Sequence, residues 1–339
     1  MSEEKSSRSF VSAQQVAERA GVSRSAVSRT FTQGASVSDA VRRKVQLAAD
    51  ELGYHVNHLA RSLIREDSRI VCVIGAEIST PYQARMLEAL SRGLQRIGQI
   101  AMLINTAGDR ESVAAALRQT LNYRAKATIV LSGTPPADLV RTCINSGQQV
   151  ILINRNDRLD GPRNVTVDNS HAGRESFHML RRAGCDKIAL VSSTAGTPSL
   201  LAREQAFEAA AREAGLGVRV VRPGPTSYVS GFAAGQILLS GSERPDGAFC
   251  VTDLLACGFM DAARFEFEIE IPDHLCVIGF DDIDQAGWAS YALTTFRQPV
   301  EDMAGHIMHL IEHPDVDSSA DQRACFHALP VWRRSVRPK

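Results

Sequence analysis

Apolar positions change their spacing near residue 69. Before it they recur at helical intervals in three short stretches. After it, short apolar runs alternate with amphipathic stretches. The first stretch opens at Ser12, with Gln15 three positions on, a pattern that predicts a capping box. Val16, Ala17 and Ala20 keep helical spacing and Gly21 predicts the stop. Ser23 predicts a second N-cap. Behind it Ala26, Val27 and Thr30 face inward, and Arg24, Ser25, Ser28 and Arg29 face out. Val22 fills the angle between the two helices. A third helix is predicted from the N-cap Ser38, with Val41, Val45, Leu47, Ala48 and Leu52 as its apolar stripe and Gly53 as its stop.

Two helices joined by a tight glycine turn, followed by a third, read as a helix-turn-helix headpiece for duplex DNA. Recognition helices read base edges near their N-termini, and arginine on guanine is the commonest specific contact. Arg24, Ser25 and Arg29 are therefore the base-reading candidates. Ser12, Ser23, Ser28, Thr32 and Ser36 are placed for phosphates.

From Arg69 the pattern predicts strands at Ile70–Gly75, 100–104, 127–131, 150–153, 187–191, 218–221, 247–251 and 275–280. Helices are predicted near 83–97, 111–122, 138–146, 171–180, 203–214, 231–239 and 254–265, and residues 328–332 read as strand-like. Alternation of this kind gives parallel sheets covered on both faces. Two such series predict two Rossmann-like lobes with a ligand cleft at the carboxyl ends of their strands.

Several segments resemble the lactose-repressor (LacI) family of bacterial transcription regulators. They include Val16-Ala17, Ala20-Gly21-Val22-Ser23, Val27-Ser28-Arg29, Val37-Ser38, Arg43-Lys44-Val45 and Leu52-Gly53-Tyr54. Asn57-His58-Leu59-Ala60-Arg61-Ser62-Leu63 resembles that family's hinge helix. By this resemblance Leu63 wedges into the minor groove, with Asn57 and Ala60 beside it. Val56 stands where the family often has proline. In the body, Ile78-Ser79-Thr80-Pro81-Tyr82, Val167-Asp168-Asn169, Thr252-Asp253-Leu254-Leu255-Ala256 and Val277-Ile278-Gly279-Phe280-Asp281-Asp282 carry the likeness. Leu293-Thr294-Thr295-Phe296-Arg297-Gln298-Pro299 looks like the return crossing to the first lobe.

The resemblance implies a headpiece over 1–55, a hinge over 56–68 and a core resembling periplasmic sugar-binding proteins over 69–339. Within that core, an N-lobe covers about 69–167 and 297–325, and a C-lobe about 168–296 and 326–339. Arg203, expected to open a helix after the sixth strand, matches the family's ligand-gripping arginine. Asp281, at a strand end, matches its hydroxyl-accepting aspartate. An arginine fork and a carboxylate suit a polyol held in two orientations. Tyr82 and Tyr228 are expected as apolar walls, and Thr252 and Asp253 as further effector contacts. The alternative roles are structural: Asp281, Asp253 and Asp168 as caps, Arg203 as half of an ion pair. Thr252 replaces a usual Asn, Ala206 a common Gly and Thr80 a usual Asn, so the pocket departs from one built for a simple hexose.

Composition narrows the rest. The 339 residues suit two or three domains, and 44% hydrophobic content permits a large core. Residues 1–66 hold ten Lys/Arg against seven Asp/Glu, and the remainder carries the balancing net −3. A basic head on an acidic body suits contact with phosphates at one end. The polar start does not read as a signal peptide, and no apolar run suits a membrane span. The seven scattered cysteines predict reduced, buried structural thiols in the cytoplasm.

The partners expected are a pseudo-palindromic double-stranded operator, a sugar-like effector and a second copy of the chain, with no cofactor and no metal. The chain ends at Lys339 without a heptad tail, so a homodimer is expected and not a tetramer. No nucleophile motif, metal motif or phosphate loop appears, so catalysis is not expected. Partly exposed surface positions are expected for His171, His178, His306, His309 and His313. The rival readings are a corepressor-dependent or activating regulator with a non-sugar effector, or a soluble sugar-binding protein or enzyme on the same lobes.

Overall fold

A computed structural model describes residues 10–32, 34–55, 68–155, 161–314 and 323–338. The chain divides into two compact units, Met1–Ser68 and Arg69–Lys339.

In the first unit, α1 (Ala13–Ala20), α2 (Arg24–Thr30) and α3 (Asp39–Leu52) are each capped by a serine hydroxyl: Ser12, Ser23 and Ser38. The capping box is complete, because Ser12 Oγ accepts from the Gln15 amide while Gln15 Oε1 accepts from the Ser12 amide at 2.8 Å. Gly21 (φ 66°) and Gly53 (φ 66°) end α1 and α3 in the left-handed region, which glycine enters without a Cβ penalty. Val16, Ala17, Val27, Val45, Ala48 and Ala49 form the core. Arg42 donates to the Thr30 carbonyl at 3.0 Å and satisfies the last turn of α2 from α3. Leu47 does not join the stripe. It is 64% exposed, since helical rotation turns it away from the face shared by Val45 and Ala48.

The second unit begins with β1 (Ile70–Gly75), α4 (Pro81–Arg96), β2 (Ile100–Asn105), α5 (Arg110–Asn122), β3 (Ala127–Val130), α6 (Ala137–Asn145), β4 (Gln149–Ile153) and β5 (Arg163–Val167). It continues with α7 (Asn169–Arg182), β6 (Ile188–Val191), α8 (Pro198–Glu213), β7 (Val218–Val221), α9 (Tyr228–Leu239), β8 (Gly247–Cys250), α10 (Asp253–Phe265), β9 (Cys276–Ile278), α11 (Asp284–Gly287) and β10 (Thr295–Arg297). It closes with α12 (Val300–Glu312), β11 (Arg323–Phe326) and β12 (Leu329–Val331).

One parallel sheet runs β11-β5-β4-β3-β1-β2 and a second runs β7-β6-β8-β9. β10 and β12 pair antiparallel, and bridges Ile278↔Thr294 and Asp281↔Arg297 join β10 to the end of β9. The chain therefore passes between the lobes at three places: after β5, between β10 and α12, and between β11 and β12. Residues 163–167 and 323–326 are strands that periodicity did not mark. Both are short and open on a polar residue, Arg163 and Arg323, so neither shows a long apolar run.

The central strands are buried throughout and, apart from Thr128 of β3, apolar, as expected where helices cover both faces. The contact between α7 and α8 depends on one glycine. A Cβ on Gly173 of α7 would lie 2.3 Å from the Arg203 carbonyl oxygen, so the two helices can pack backbone to backbone there only because it is absent. Six cysteines are buried, as expected, but Cys325 on β11 is exposed. No helix among the described residues is long and apolar enough to cross a membrane.

Candidate functional site

A cleft with a cavity of about 380 Å³ opens between the carboxyl ends of the two sheets. Strand ends there leave polar groups unpaired by a ladder, which is why α/β folds bind ligands at this edge. Tyr82, Asn154 and Arg155 line it from the N-lobe, and Arg203, Thr252 and Asp281 from the C-lobe. Gln298, on the return crossing, completes it.

Arg203 does not open a helix. It is the sixth residue of α8, which starts at Pro198, and it is 3% exposed. Its Nε donates to Asn169 Oδ1 at 2.8 Å, one Nη donates to the Val251 carbonyl at 2.7 Å, and its Cζ stands 3.5 Å from the Phe280 ring centre. Burial lowers its pKa to about 10, opposed by the nearby Asp281 charge. It remains a cation at neutral pH.

Asp281 follows β9 at φ 124°, a left-handed backbone that side chains rarely adopt. Its Oδ1 accepts from Gln298 Nε2 at 2.7 Å. Burial raises its pKa to about 6, against the pull of Arg203 and Gln298. Gln298 Oε1 and Thr252 Oγ1 are buried and make no hydrogen bond. Such atoms are costly unless a ligand or water completes them. Tyr82 Oη accepts from Asn154 Nδ2 at 3.1 Å, and burial pushes its phenol pKa up.

Two expected contacts are elsewhere. Asp253 is fully buried behind the cleft, where Thr295 Oγ1 donates to it at 2.6 Å and the Ile283 amide at 2.9 Å. Burial, with the Asp281 charge second, raises its pKa to about 8. It braces the loop that carries Asp281. Tyr228 is at the start of α9, outside the cleft, and donates to Asp261 at 2.8 Å. Its closeness in sequence to the strand-end loop misled, because the helix turns it outward. Asn154, Arg155 and Gln298 were missed as cleft residues. Asn154 and Arg155 follow directly on the apolar run 150–153, a strand-end signal that the sequence carries. Asp168 is an N-cap, accepting from the His171 amide at 2.8 Å.

In the headpiece, Arg24, Ser25, Ser28 and Arg29 are all exposed on α2, which contains no acidic residue. Ser25 and Ser23 hydroxyls are 2.9 Å apart, and Arg29 Nε donates to the Ser25 carbonyl at 3.4 Å. Thr32 Oγ1 donates to the Ser28 carbonyl at 2.8 Å. Ser36 is exposed. Ser12 Oγ already donates to Gln15 Oε1 at 3.0 Å, so the free amides at that helix start are better phosphate donors than its hydroxyl. Asn57, Ala60 and Leu63 lie outside the described residues. No group of three or more His, Cys, Asp or Glu among the described residues is arranged to hold a metal.

Residues 13–57 match the bacterial regulatory proteins of the lacI family, and residues 177–336 match a periplasmic binding protein-like domain. The chain is 28% identical to the ribose operon repressor of Escherichia coli strain K12, over 88% of this chain and 91% of that protein. It is 29% identical to catabolite control protein A of Priestia megaterium, over 91% and 94% respectively. Its fold superposes on the crystal structure of the lac repressor dimer bound to operator and the anti-inducer ONPF. The TM-score is 0.86 at 20% identity, covering 96% of this chain and 99% of that one. In chain order, then, a segment of the lacI type is followed by a periplasmic binding protein-like domain, and over most of its length the chain is similar to bacterial transcription regulators.

Proposed function

We propose that this protein is a transcription regulator whose affinity for a specific DNA operator is set by a small polyhydroxylated effector, a sugar or sugar derivative. The effector enters the cleft between the lobes. The observation that carries this reading is the pairing of Arg203 and Asp281 at one cleft, with the buried, unpartnered Thr252 Oγ1 and Gln298 Oε1 beside them. A planar donor fork, a carboxylate and two further polar atoms are the groups that hold vicinal hydroxyls. Tyr82 supplies a partly apolar wall. The relative named as a repressor of the ribose operon supports a sugar as the chemical class.

In this reading Arg24, Ser25 and Arg29 read base edges, while Ser23, Ser28, Thr32, Ser36 and the α1 start contact phosphate. Asn57, Ala60 and Leu63 contact the minor groove, with Leu63 as the wedge. Two copies read the two halves of an inverted repeat. The exposed Val229 and Ile237 of α9, and Ile100 and Leu103 of the edge strand β2, support association of two copies. The role is regulatory and not catalytic, and it is exercised in the cytoplasm.

The test has two stages. A thermal-shift screen against pentoses, hexoses, sugar acids and nucleosides identifies the effector by a concentration-dependent rise in Tm. A gel shift on inverted repeats upstream of the protein's own gene then gives its sign. Loss of the shift on adding the hit marks an inducer, and gain marks a corepressor. Absence of preference for any inverted repeat over random duplex at moderate salt overturns the DNA reading. Absence of any hit among polyhydroxylated compounds overturns the effector class.

A further inference from the structure

Cys185, Cys276 and Arg337 meet at the amino ends of the C-lobe strands, the edge opposite the cleft. Cys276 opens β9 and pairs in register with Gly247, the first residue of β8. A Cβ on Gly247 would stand 2.8 Å from Cys185 Cβ and 2.9 Å from its Sγ. The bare glycine thus makes room for the Cys185 side chain, which reaches across β8 to the neighbourhood of Cys276. Both cysteines are fully buried.

Arg337 serves both sulfurs. One Nη donates to Cys185 Sγ at 3.3 Å, and its backbone amide donates to Cys276 Sγ at 3.4 Å. The rest of the guanidinium is fastened to the carbonyls of Ala183, Pro272 and Asp273 at 2.9 to 3.1 Å. Cys185 Sγ donates to the Asp246 carbonyl at 3.3 Å, and Cys276 Sγ donates to the Pro272 carbonyl at 3.8 Å. The neighbouring Cys185 thiol, opposed by burial and aided by Arg337, lowers the Cys276 pKa. The same contact and burial push Cys185 up, so it stays a thiol. The buried Cys72, Cys143 and Cys250 contrast with this, since burial pushes all three up. Two neighbouring thiols beside a fixed cation form a built site for two-electron oxidation.

We propose that Cys185 and Cys276 are a redox-active pair that closes to an intramolecular disulfide with hydrogen peroxide as oxidant. The Cys276 thiolate attacks one peroxide oxygen, and the O–O bond breaks. Cys276 becomes a sulfenic acid, and the leaving hydroxide takes a proton to become water. The Cys185 sulfur then attacks the sulfenic sulfur. The S–O bond breaks, the S–S bond forms, and the departing hydroxide leaves as water with the Cys185 proton. Two thiols are oxidised and one peroxide is reduced to two waters. Access requires the closing segment, with the buried Val336 and its neighbour Arg337, to lift from the lobe. That segment also lies along β9, where the Val277 amide donates to the Ser335 carbonyl at 2.8 Å. The bridge would therefore fasten the strand that delivers Asp281 to the cleft.

The test uses the full chain carrying Cys325→Ser, which removes the exposed thiol and leaves six of seven cysteines. After peroxide treatment and alkylation, two thiols should be lost. A non-reducing digest should yield one cross-linked peptide joining Cys185 to Cys276, restored to thiols by dithiothreitol. The rate should rise as pH is raised, because the attacking species is the Cys276 thiolate. Adding Cys185→Ser should leave a sulfenic acid at Cys276 that dimedone traps. An unchanged thiol titre, or cross-links confined to other cysteines, overturns the proposal. Peptide mapping of the Cys325→Ser protein decides this even if the second variant fails to fold.

Discussion

Arg203 stacks its guanidinium carbon 3.5 Å above the ring of Phe280, the residue immediately before Asp281. The cation and the carboxylate of the cleft are thus set by one contact between α8 and the end of β9. Asn169 and the Val251 carbonyl hold the other side of the same guanidinium. Arg203→Lys keeps the charge but loses the planar fork and the stack. Effector affinity, measured by calorimetry with whichever compound the screen identifies, should fall by at least about tenfold. Operator affinity without effector should stay within about twofold of wild type. The unfilled Asn169 and Val251 acceptors should cost about 1–3 kcal/mol of folding stability.

Arg29 is exposed on a helix whose inward residues, Val27 and Thr30, hold the fold. Arg29→Ala should leave the thermal unfolding of the protein unchanged. Binding to the specific operator should weaken by about 1–3 kcal/mol, with little change on random duplex. A competition gel shift separates the two.

Asp253 gives a pH dependence with a definite sign. Its pKa is about 8 in the folded protein against an ordinary value of 3.8. Between those values the native state binds the proton that the unfolded chain has released. Stability therefore falls as pH rises across that window and levels off above about 8. The slope for one proton is at most about 1.4 kcal/mol per pH unit. Urea midpoints across roughly pH 5 to 9 should fall more steeply for wild type than for Asp253→Asn. The steady cost of the altered hydrogen bonds in the variant does not change with pH.

Asp282 joins two segments that run between the lobes. Its carboxylate accepts from Arg297 Nε and Arg333 Nη2, each at 2.6 Å, and its side chain is 5% exposed. Burial opposes the charge, but the two arginines outweigh it and hold the pKa below the ordinary value. Asp282→Asn should cost about 1–3 kcal/mol, discounted because Arg297 is half exposed. Amide exchange at β10 and β12 should quicken while α8 keeps its protection.

Local signals make much of this fold legible from the chain alone. Ser12 with Gln15, and the glycines at 21 and 53, act within a turn of the backbone, so the headpiece can be written from neighbours alone. Strands such as Ile70–Gly75 declare themselves by apolar runs. The start of α8 falls earlier than the apolar pattern implies, because Pro198 sets its first turn. Tyr228 and Asp253 flank the right loops, but chain position does not say which way a side chain turns. Gln298 enters the cleft because the chain crosses back between lobes there; the resemblance marks the crossing, but no local signal says which of its side chains faces the cleft.

The hydrogen bond from Gln298 to Asp281 has a mechanical meaning. Asp281 belongs to the strand that delivers it, while Gln298 belongs to the tether by which the chain departs for the other lobe. A guest that competes for Oδ1 of that carboxylate would slacken the tether, so occupancy of the cleft and the path of the crossing share one hydrogen bond.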